Sequence, residues 1–127
     1  MNAAQMTALL LSNDRAVTKA MIVLLSYQTS DERVNGHTVE SNGLGFNVAD
    51  ADLATYCACW AMGLKRGTKE SDASWNQRLT RILDHYLTGD NFKGCRTLSG
   101  SYLVKCRAMA IKYRRQLVYA TNARQAA

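Results

Sequence analysis

Apolar residues recur at helical spacing from Asn13 onward. Between this residue and Gln28 or Thr29, apolar side chains return every three or four positions, which predicts an amphipathic helix. The stripe consists of Ala16, Val17, Ala20, Met21, Leu24 and Leu25. Ser12 or Asn13 stands where a helix cap is expected, because either side chain can accept a hydrogen bond from the first turn.

The same spacing predicts a second helix over residues 47–64. Asn47 and Asp50 are spaced like the two partners of a capping box, with Asp in the position that Glu or Gln usually holds. The inward stripe of this helix consists of Leu53, Cys57, Trp60 and Leu64. Because Trp60 lies on this stripe, we expect it in the core, and Trp75 on the next helix likewise.

Two further helices follow a polar linker, LKRGTKESD, at residues 64–72. The third helix has a stripe of Trp75, Leu79, Ile82, Leu83 and Tyr86. Gly89 is placed to end it, since glycine is common just after a helix. The fourth helix is predicted to begin near Leu98 or Ser99 and to run to about Thr121. Its apolar face consists of Tyr102, Leu103, Cys106, Met109, Ala110, Tyr113, Leu117 and Ala120.

The glycine-rich segment between the first two helices lacks this periodicity. Residues 33–46 are therefore predicted to form an ordered loop, in which HTVE is long enough for a short strand. Proline, the strongest helix breaker, is absent from the chain. Together these features predict an all-α fold, a single domain over residues 1–127 built as a compact bundle of about four helices. An orthogonal, helix-turn-helix-like packing is the alternative arrangement.

Composition favours a globular protein that stays where it is made. The 47% hydrophobic and 20% charged residues are ordinary for such a protein, and no apolar run approaches the roughly 20 residues of a membrane span. The amino terminus has no cationic region before its short apolar run, so no secretory signal is expected. The four cysteines are therefore predicted to be reduced, and the location cytoplasmic.

Charge is distributed very unevenly along the chain. Residues 1–90 carry a net charge of −2, whereas residues 91–127 contain eight Lys and Arg and no acid, a net charge of +8. A solvated helix face usually mixes both signs, because oppositely charged neighbours stabilise it. The one-sided charge favours a polyanionic partner, nucleic acid being the commonest candidate, although long cationic side chains also cover apolar surface on many ordinary helices.

The predicted contacts to phosphate form a set of exposed cations. Those of the basic segment are Lys93, Arg96, Lys105, Arg107, Lys112, Arg114 and Arg115, and the linker adds Lys65, Arg66 and Lys69. Tyr119 is the tyrosine predicted to be exposed and able to stack on a base, while Tyr102 and Tyr113 are expected in the core. No set of Asn, Gln and Arg suggests base-specific readout, so binding is expected to be non-specific, to DNA or RNA.

The sequence contains only weak indications of catalytic or metal-binding residues. Cys57 and Cys59 lie two apart, which on a helix points them away from each other and disfavours a shared zinc ion. His37 is a plausible general base, and Asp50 with Asp52 could serve a metal-dependent hydrolase. Helix capping is the simpler role for Asp50. We therefore expect a protein that is not an enzyme and has no metal or cofactor.

Two stretches together resemble a known group of proteins. The first is a Q-T-x-D-E plus N-G-x-G-F-N-x-x-D-A block, made here by Gln28, Thr29, Asp31, Glu32, Asn42, Gly43, Gly45, Phe46, Asn47, Asp50 and Ala51. The second leads into a basic K-Y-x-x-Q-L helix, made here by Arg96, Leu98, Ser99, Lys112, Tyr113, Gln116 and Leu117. The pair resembles a family of short, largely uncharacterised accessory proteins of tailed bacteriophages and mobile elements, in which Thr is usual at the position of Ser99.

This resemblance implies a role in phage nucleic-acid metabolism or host takeover, in the cytoplasm of a bacterial host. It supplies no catalytic residue. The predicted function is thus non-enzymatic nucleic-acid binding by the basic carboxyl-terminal segment. The alternative is a protein-binding inhibitor of a host factor or defence component, with contacts from the linker and from the loop residues Asn42, Gly43, Gly45 and Phe46.

Overall fold

The computed structural model describes residues 1–28, 46–88 and 92–126. Within these ranges every regular element is helical, so the predicted all-α fold is confirmed. The elements are α1 (Ala3–Ser12), α2 (Asp14–Ser26), α3 (Val48–Ala61), α4 (Asp72–Leu87), a short 3₁₀ helix (Phe92–Gly94), α5 (Gly100–Lys112) and α6 (Arg114–Ala126). The expectation of about four helices was too low, because α1 was not predicted and the last predicted helix is divided into α5 and α6.

α1 has a start signal that is independent of periodicity. The Asn2 side chain accepts from the Gln5 backbone N–H at 2.9 Å, and the Gln5 side chain accepts from the Asn2 N–H at 2.8 Å. These reciprocal bonds form a capping box. Met6 and Leu10, four positions apart, are the buried residues of this helix. Its apolar stripe is narrow, and the exposed Leu11 adjoins it, so the sequence pattern does not clearly show which residues are buried.

α2 is the central helix and contacts each of the other five. Most of its surface is apolar and buried, as expected for a helix enclosed by neighbours rather than lying at a surface. The fully buried residues include Val17, Met21, Ile22, Leu24 and Leu25. Thr18 is also buried, and its hydroxyl both donates to the Asp14 carbonyl and accepts from the Leu98 N–H at 3.0 Å. This bond fixes the chain just before α5 against the core.

The break between α5 and α6 lies at Tyr113. Its backbone has φ −98° and ψ 18°, outside the helical range, although its N–H still donates to the Met109 carbonyl at 3.0 Å. The flanking sequence IKYRR contains neither glycine nor proline, so it carries no local signal for an interruption. The prediction of a single helix over this region was wrong. The conformation of Tyr113 coincides with tertiary contacts, which a local sequence pattern does not show.

The Tyr113 side chain joins the break to the start of α3. Its hydroxyl accepts from the Asn47 N–H at 2.9 Å and donates to Asp50 Oδ2 at 2.6 Å, while its ring meets Phe46 edge-on with centroids 5.9 Å apart. Lys112 Nζ donates to the same Asp50 oxygen at 2.8 Å. Asn47 caps α3 as predicted, because its side chain accepts a hydrogen bond from the Asp50 N–H. The predicted return bond is different: the Asn47 N–H donates to the Tyr113 hydroxyl and not to the Asp50 carboxylate.

These contacts hold Asp50 in its charged form. Burial raises the pKa of its carboxyl, but hydrogen bonds from Lys112 and Tyr113 and the charge of Lys112 together outweigh burial and lower the pKa below its ordinary value. The lowered pKa contributes stability that is present above the unfolded-state pKa. That contribution is lost as pH falls through the folded-state pKa.

Replacement of Tyr113 by Phe tests this cluster. Tyr113→Phe leaves the Asn47 N–H without its acceptor and removes one donor from Asp50, so we expect the free energy of unfolding to fall by about 1 kcal/mol. Chemical denaturation followed by circular dichroism measures the change.

The matched control is Tyr119→Phe, since Tyr119 is 68% exposed. Its effect should stay within about 0.5 kcal/mol. Equal stability of Tyr113→Phe and the unaltered protein would show that the cluster does not secure the break.

Candidate nucleic-acid interface

Two cations of the basic segment are paired with acids from the first ninety residues. Arg107 forms an ion pair with Asp14, and its Nε donates to the Leu10 carbonyl at 2.9 Å. Lys112 pairs with Asp50 at 2.8 Å. The expectation that the segment lacks internal counter-charge is therefore wrong for these two residues. Both pairs connect the carboxyl-terminal helices to earlier parts of the chain, which gives them a structural role.

Five other cations of the segment have no carboxylate within 4 Å in the described ranges: Lys93, Arg96, Lys105, Arg114 and Arg115. Lys93, Arg96, Lys105 and Arg115 are exposed. Arg114 is partly buried and donates to the Ile111 carbonyl of its own chain segment at 3.1 Å. Tyr119 is exposed, as predicted.

The linker between α3 and α4 is organised by a carboxylate. Glu70 accepts hydrogen bonds from the Gly67 N–H at 3.0 Å, from the Ser74 hydroxyl at 2.9 Å and from Arg78 at 2.7 and 2.8 Å. Arg78 also donates to the Lys65 carbonyl at 2.8 Å, which closes the loop.

The three linker cations predicted to contact phosphate differ in whether they form an ion pair within the described structure. Arg66 forms an ion pair with Asp72, whereas Lys65 and Lys69 are exposed. Among the described residues, a carboxylate thus neutralises one of the three linker cations.

An aromatic pocket of about 150 Å³ lies between α3 and the start of α5. It is lined by Tyr56, Cys57, Trp60, Leu98, Ser99 and Tyr102. The Tyr56 and Tyr102 rings lie 5.9 Å apart between centroids and are tilted by 39°. Tyr56 is 57% exposed and Tyr102 is 45% exposed, so the expectation that Tyr102 belongs to the core was wrong.

Arg96 lies against one wall of the aromatic pocket. Its guanidinium carbon is 4.3 Å from the centroid of the Trp60 ring, and its Nε donates to the Trp60 carbonyl at 3.0 Å. The Arg96 backbone N–H donates to the Ala61 carbonyl at 2.7 Å. Trp60 is partly buried rather than enclosed in the core. The guanidinium is thereby held over an indole face while Arg96 remains exposed.

Lys105 adds a second positive charge at the aromatic pocket. It follows Tyr102 by three positions on α5, a spacing that places both on one side of the helix. Cys57 belongs to the lining of the pocket, and the pKa of its thiol is lowered. A hydrogen bond from Cys106 and the charge of Lys105 both lower this pKa, whereas burial raises it. Lys105 is therefore close enough for its field to reach the pocket.

The structure describes only some of the other candidate residues. Phe46, a proposed contact to a protein partner, is 1% exposed and packs in the core. Asn42, Gly43, Gly45 and His37 lie outside the described residues. The four cysteines are buried and form no disulfide in the structure.

Two further properties concern metals and membranes. In the described ranges, no three His, Cys, Asp or Glu side chains converge as metal ligands would. Every helix described there falls short of the length and apolarity that a membrane crossing needs.

Two features of the interface were missed in the sequence. Tyr56 was never singled out, although it precedes Trp60 by four positions and so shares its helix face. The second feature is the position of Arg96, fixed by its backbone bond to Ala61 across 35 residues of sequence. The first had a local signal, whereas the second depends on how α3 and α5 pack.

The Glu70 network predicts an acid titration. The hydrogen bonds from Arg78 and from the Gly67 N–H lower the Glu70 pKa from 4.5 to about 2, against opposing burial and with help from Ser74 and the Arg78 charge. Its stabilising effect is thus present above the unfolded-state pKa and lost as pH falls from about 4.5 toward 2. Arg78→Gln should move this pKa upward, as measured by carboxyl-carbon NMR.

Arg81→Gln is the matched control, because Arg81 is exposed on the same helix and shares no hydrogen bond with Glu70 among the described contacts. The Glu70 pKa should stay near 2 in this variant. An ordinary pKa in the unaltered protein would contradict the network.

Comparison of the chain with protein-family models, curated proteins and solved structures finds no match.

Proposed function

We propose that this protein binds nucleic acid without acting as an enzyme, with the aromatic pocket and its flanking cations as the contact surface. The observation that carries the proposal is the pairing of exposed aromatic rings with exposed, uncompensated cations. Arg96 and Lys105 flank the pocket, and neither has a carboxylate partner within 4 Å in the described ranges. Surfaces that bind nucleic-acid strands combine positive charge with aromatic stacking in this way.

Two exposed lysines complete the proposed contact set. Lys65 follows by four residues the Ala61 carbonyl that holds the Arg96 N–H. Lys93 is exposed and precedes Arg96 by three residues. The proposed contact set therefore consists of four cations: Lys65, Lys93, Arg96 and Lys105.

The proposed contact set omits cations whose charge the fold already uses. Arg107 and Lys112 form ion pairs with Asp14 and Asp50, and freeing them for phosphate would break contacts between helices. Arg114, Arg115 and Tyr119 lie on α6, which contributes no residue to the aromatic pocket. The contribution of Arg114 and Arg115 is the general positive field that attracts a polyanion from a distance.

The salt dependence of binding tests the proposal quantitatively. Four phosphate contacts on a single strand predict that log K falls against log salt with a slope of about −3. Fluorescence anisotropy with a labelled 20-nucleotide strand at several potassium chloride concentrations measures this slope. Arg96→Gln or Lys105→Gln should each reduce its magnitude by about 0.7 and weaken binding at low salt.

The matched control is Arg115→Gln, which removes one exposed cation of the same basic segment away from the pocket. Its slope should change less than the slopes of the two pocket variants. Absence of binding at low salt, or an affinity that does not respond to salt, would contradict the proposed function. A protein whose affinity falls equally with all three variants would have a diffuse positive surface instead of this interface.

A further inference from the structure

We infer that the aromatic pocket receives one unpaired nucleobase of a single-stranded nucleic acid, stacked on the Tyr56 and Tyr102 rings. The inference rests on the proposed function and names the substrate class, a single strand rather than a duplex. It combines three observations on the same pocket: the arrangement of the rings, the volume of the pocket that they help to line and the sign of the surrounding charge.

The rings offer stacking surfaces that the fold leaves unused. Tyr56 and Tyr102 belong to different helices, and both remain about half exposed. Their centroids are 5.9 Å apart and their planes are tilted by 39°. Trp60 forms a further part of the lining. Large exposed rings that converge from two helices are a candidate binding feature, because buried aromatic packing is the usual stabilising arrangement.

The volume of the pocket limits the size of its occupant. At about 150 Å³ it is smaller than the roughly 300 Å³ at which pockets for drug-sized ligands begin. One planar ring system fits such a space, while a larger ligand extends beyond it. A nucleobase has the required shape, and its sugar and phosphates would remain outside the pocket, where the exposed cations lie.

The flanking charge selects among ligands that bind aromatic rings. Aromatic cages also bind quaternary ammonium groups, which are attracted to ring faces. Here Arg96 lies 4.3 Å from the Trp60 centroid, and the field of Lys105 reaches Cys57 in the lining. Two positive charges repel a cationic ligand and attract one that carries phosphate. The charge therefore favours a nucleotide unit over an ammonium group.

The requirement for an unpaired base follows from geometry. A base can stack on protein side chains only when it leaves its neighbours in the strand, and in a duplex this also requires the base pair to open. Stacking on an aromatic side chain changes affinity by about five- to 150-fold per base. We therefore expect the full-length protein to bind an oligothymidine strand at least fivefold more tightly than a duplex of equal length.

The experiment compares three probes with the full-length protein at one salt concentration. They are a 12-nucleotide oligothymidine, the same sugar-phosphate backbone with abasic sites throughout, and a 12-base-pair duplex. Binding is measured by competition against a labelled oligothymidine. The expected result is weaker binding of both the abasic strand and the duplex, by at least fivefold.

Variants of the two tyrosines connect this difference to the pocket. Tyr56→Ala and Tyr102→Ala should each remove most of the preference for oligothymidine over the abasic strand. Tyr56→Phe and Tyr102→Phe should retain it, because phenylalanine keeps the stacking ring. Tyr119→Ala is the matched control for loss of an exposed tyrosine outside the pocket, and it should leave the preference unchanged.

The outcomes separate this inference from the function on which it rests. Equal affinity for oligothymidine and the abasic strand, with normal salt dependence, overturns base stacking in the pocket and leaves phosphate binding intact. A preference that survives both alanine variants likewise overturns it. Failure of all three probes to bind at low salt overturns the inference and the proposed function together. That outcome would instead favour a protein partner for the exposed rings.

Discussion

The enclosure of α2 is the constraint on which the structure depends. Its apolar residues face neighbours in several directions, and the five other helices all contact it. A helix that is apolar on most of its surface must be covered, since leaving such a surface in water is unfavourable. The surrounding helices supply that cover with their inner faces. Their outer faces then carry the charged and aromatic side chains available for function.

The same packing decides which cations remain available. Thr18 on α2 holds the Leu98 N–H, and the following turn begins α5 beside α3. This places Tyr102 next to Tyr56. Farther along the chain, Arg107 and Lys112 meet Asp14 and Asp50 and serve the fold. The basic segment thus divides into a structural part, which links helices, and the cations at the aromatic pocket, for which we propose phosphate contact.

Sequence periodicity was sufficient where a helix has a regular apolar stripe and a polar cap. α2 begins after Asn13 and α3 after Asn47, and in both the cap side chain accepts from the backbone three residues on. Periodicity failed at Tyr113, where the interruption coincides with a hydrogen bond to a partner more than sixty residues away. It also misplaced Tyr102, since a helical wheel treats an apolar face as buried along its whole length. Whether α3 covers that face is a tertiary property.

Charge counting had a comparable limit. The sum over residues 91–127 is +8, yet it contains no information on which acids of residues 1–90 lie nearby. Asp14 and Asp50 each stand in the first turn of a helix, where a negative charge is favourable. That position has a local explanation from the sequence. Their second role, as partners of Arg107 and Lys112, follows only from the packing of α5 against α2 and α3.

The most direct test of the proposed interface is a map of NMR chemical shifts in this 14.1 kDa protein during titration with oligothymidine. The account predicts that the largest changes occur at Tyr56, Tyr102, the Trp60 indole N–H and the Arg96 side chain. Changes confined to Arg115, Tyr119 and their neighbours on α6, with the aromatic pocket unaltered at saturation, would contradict it.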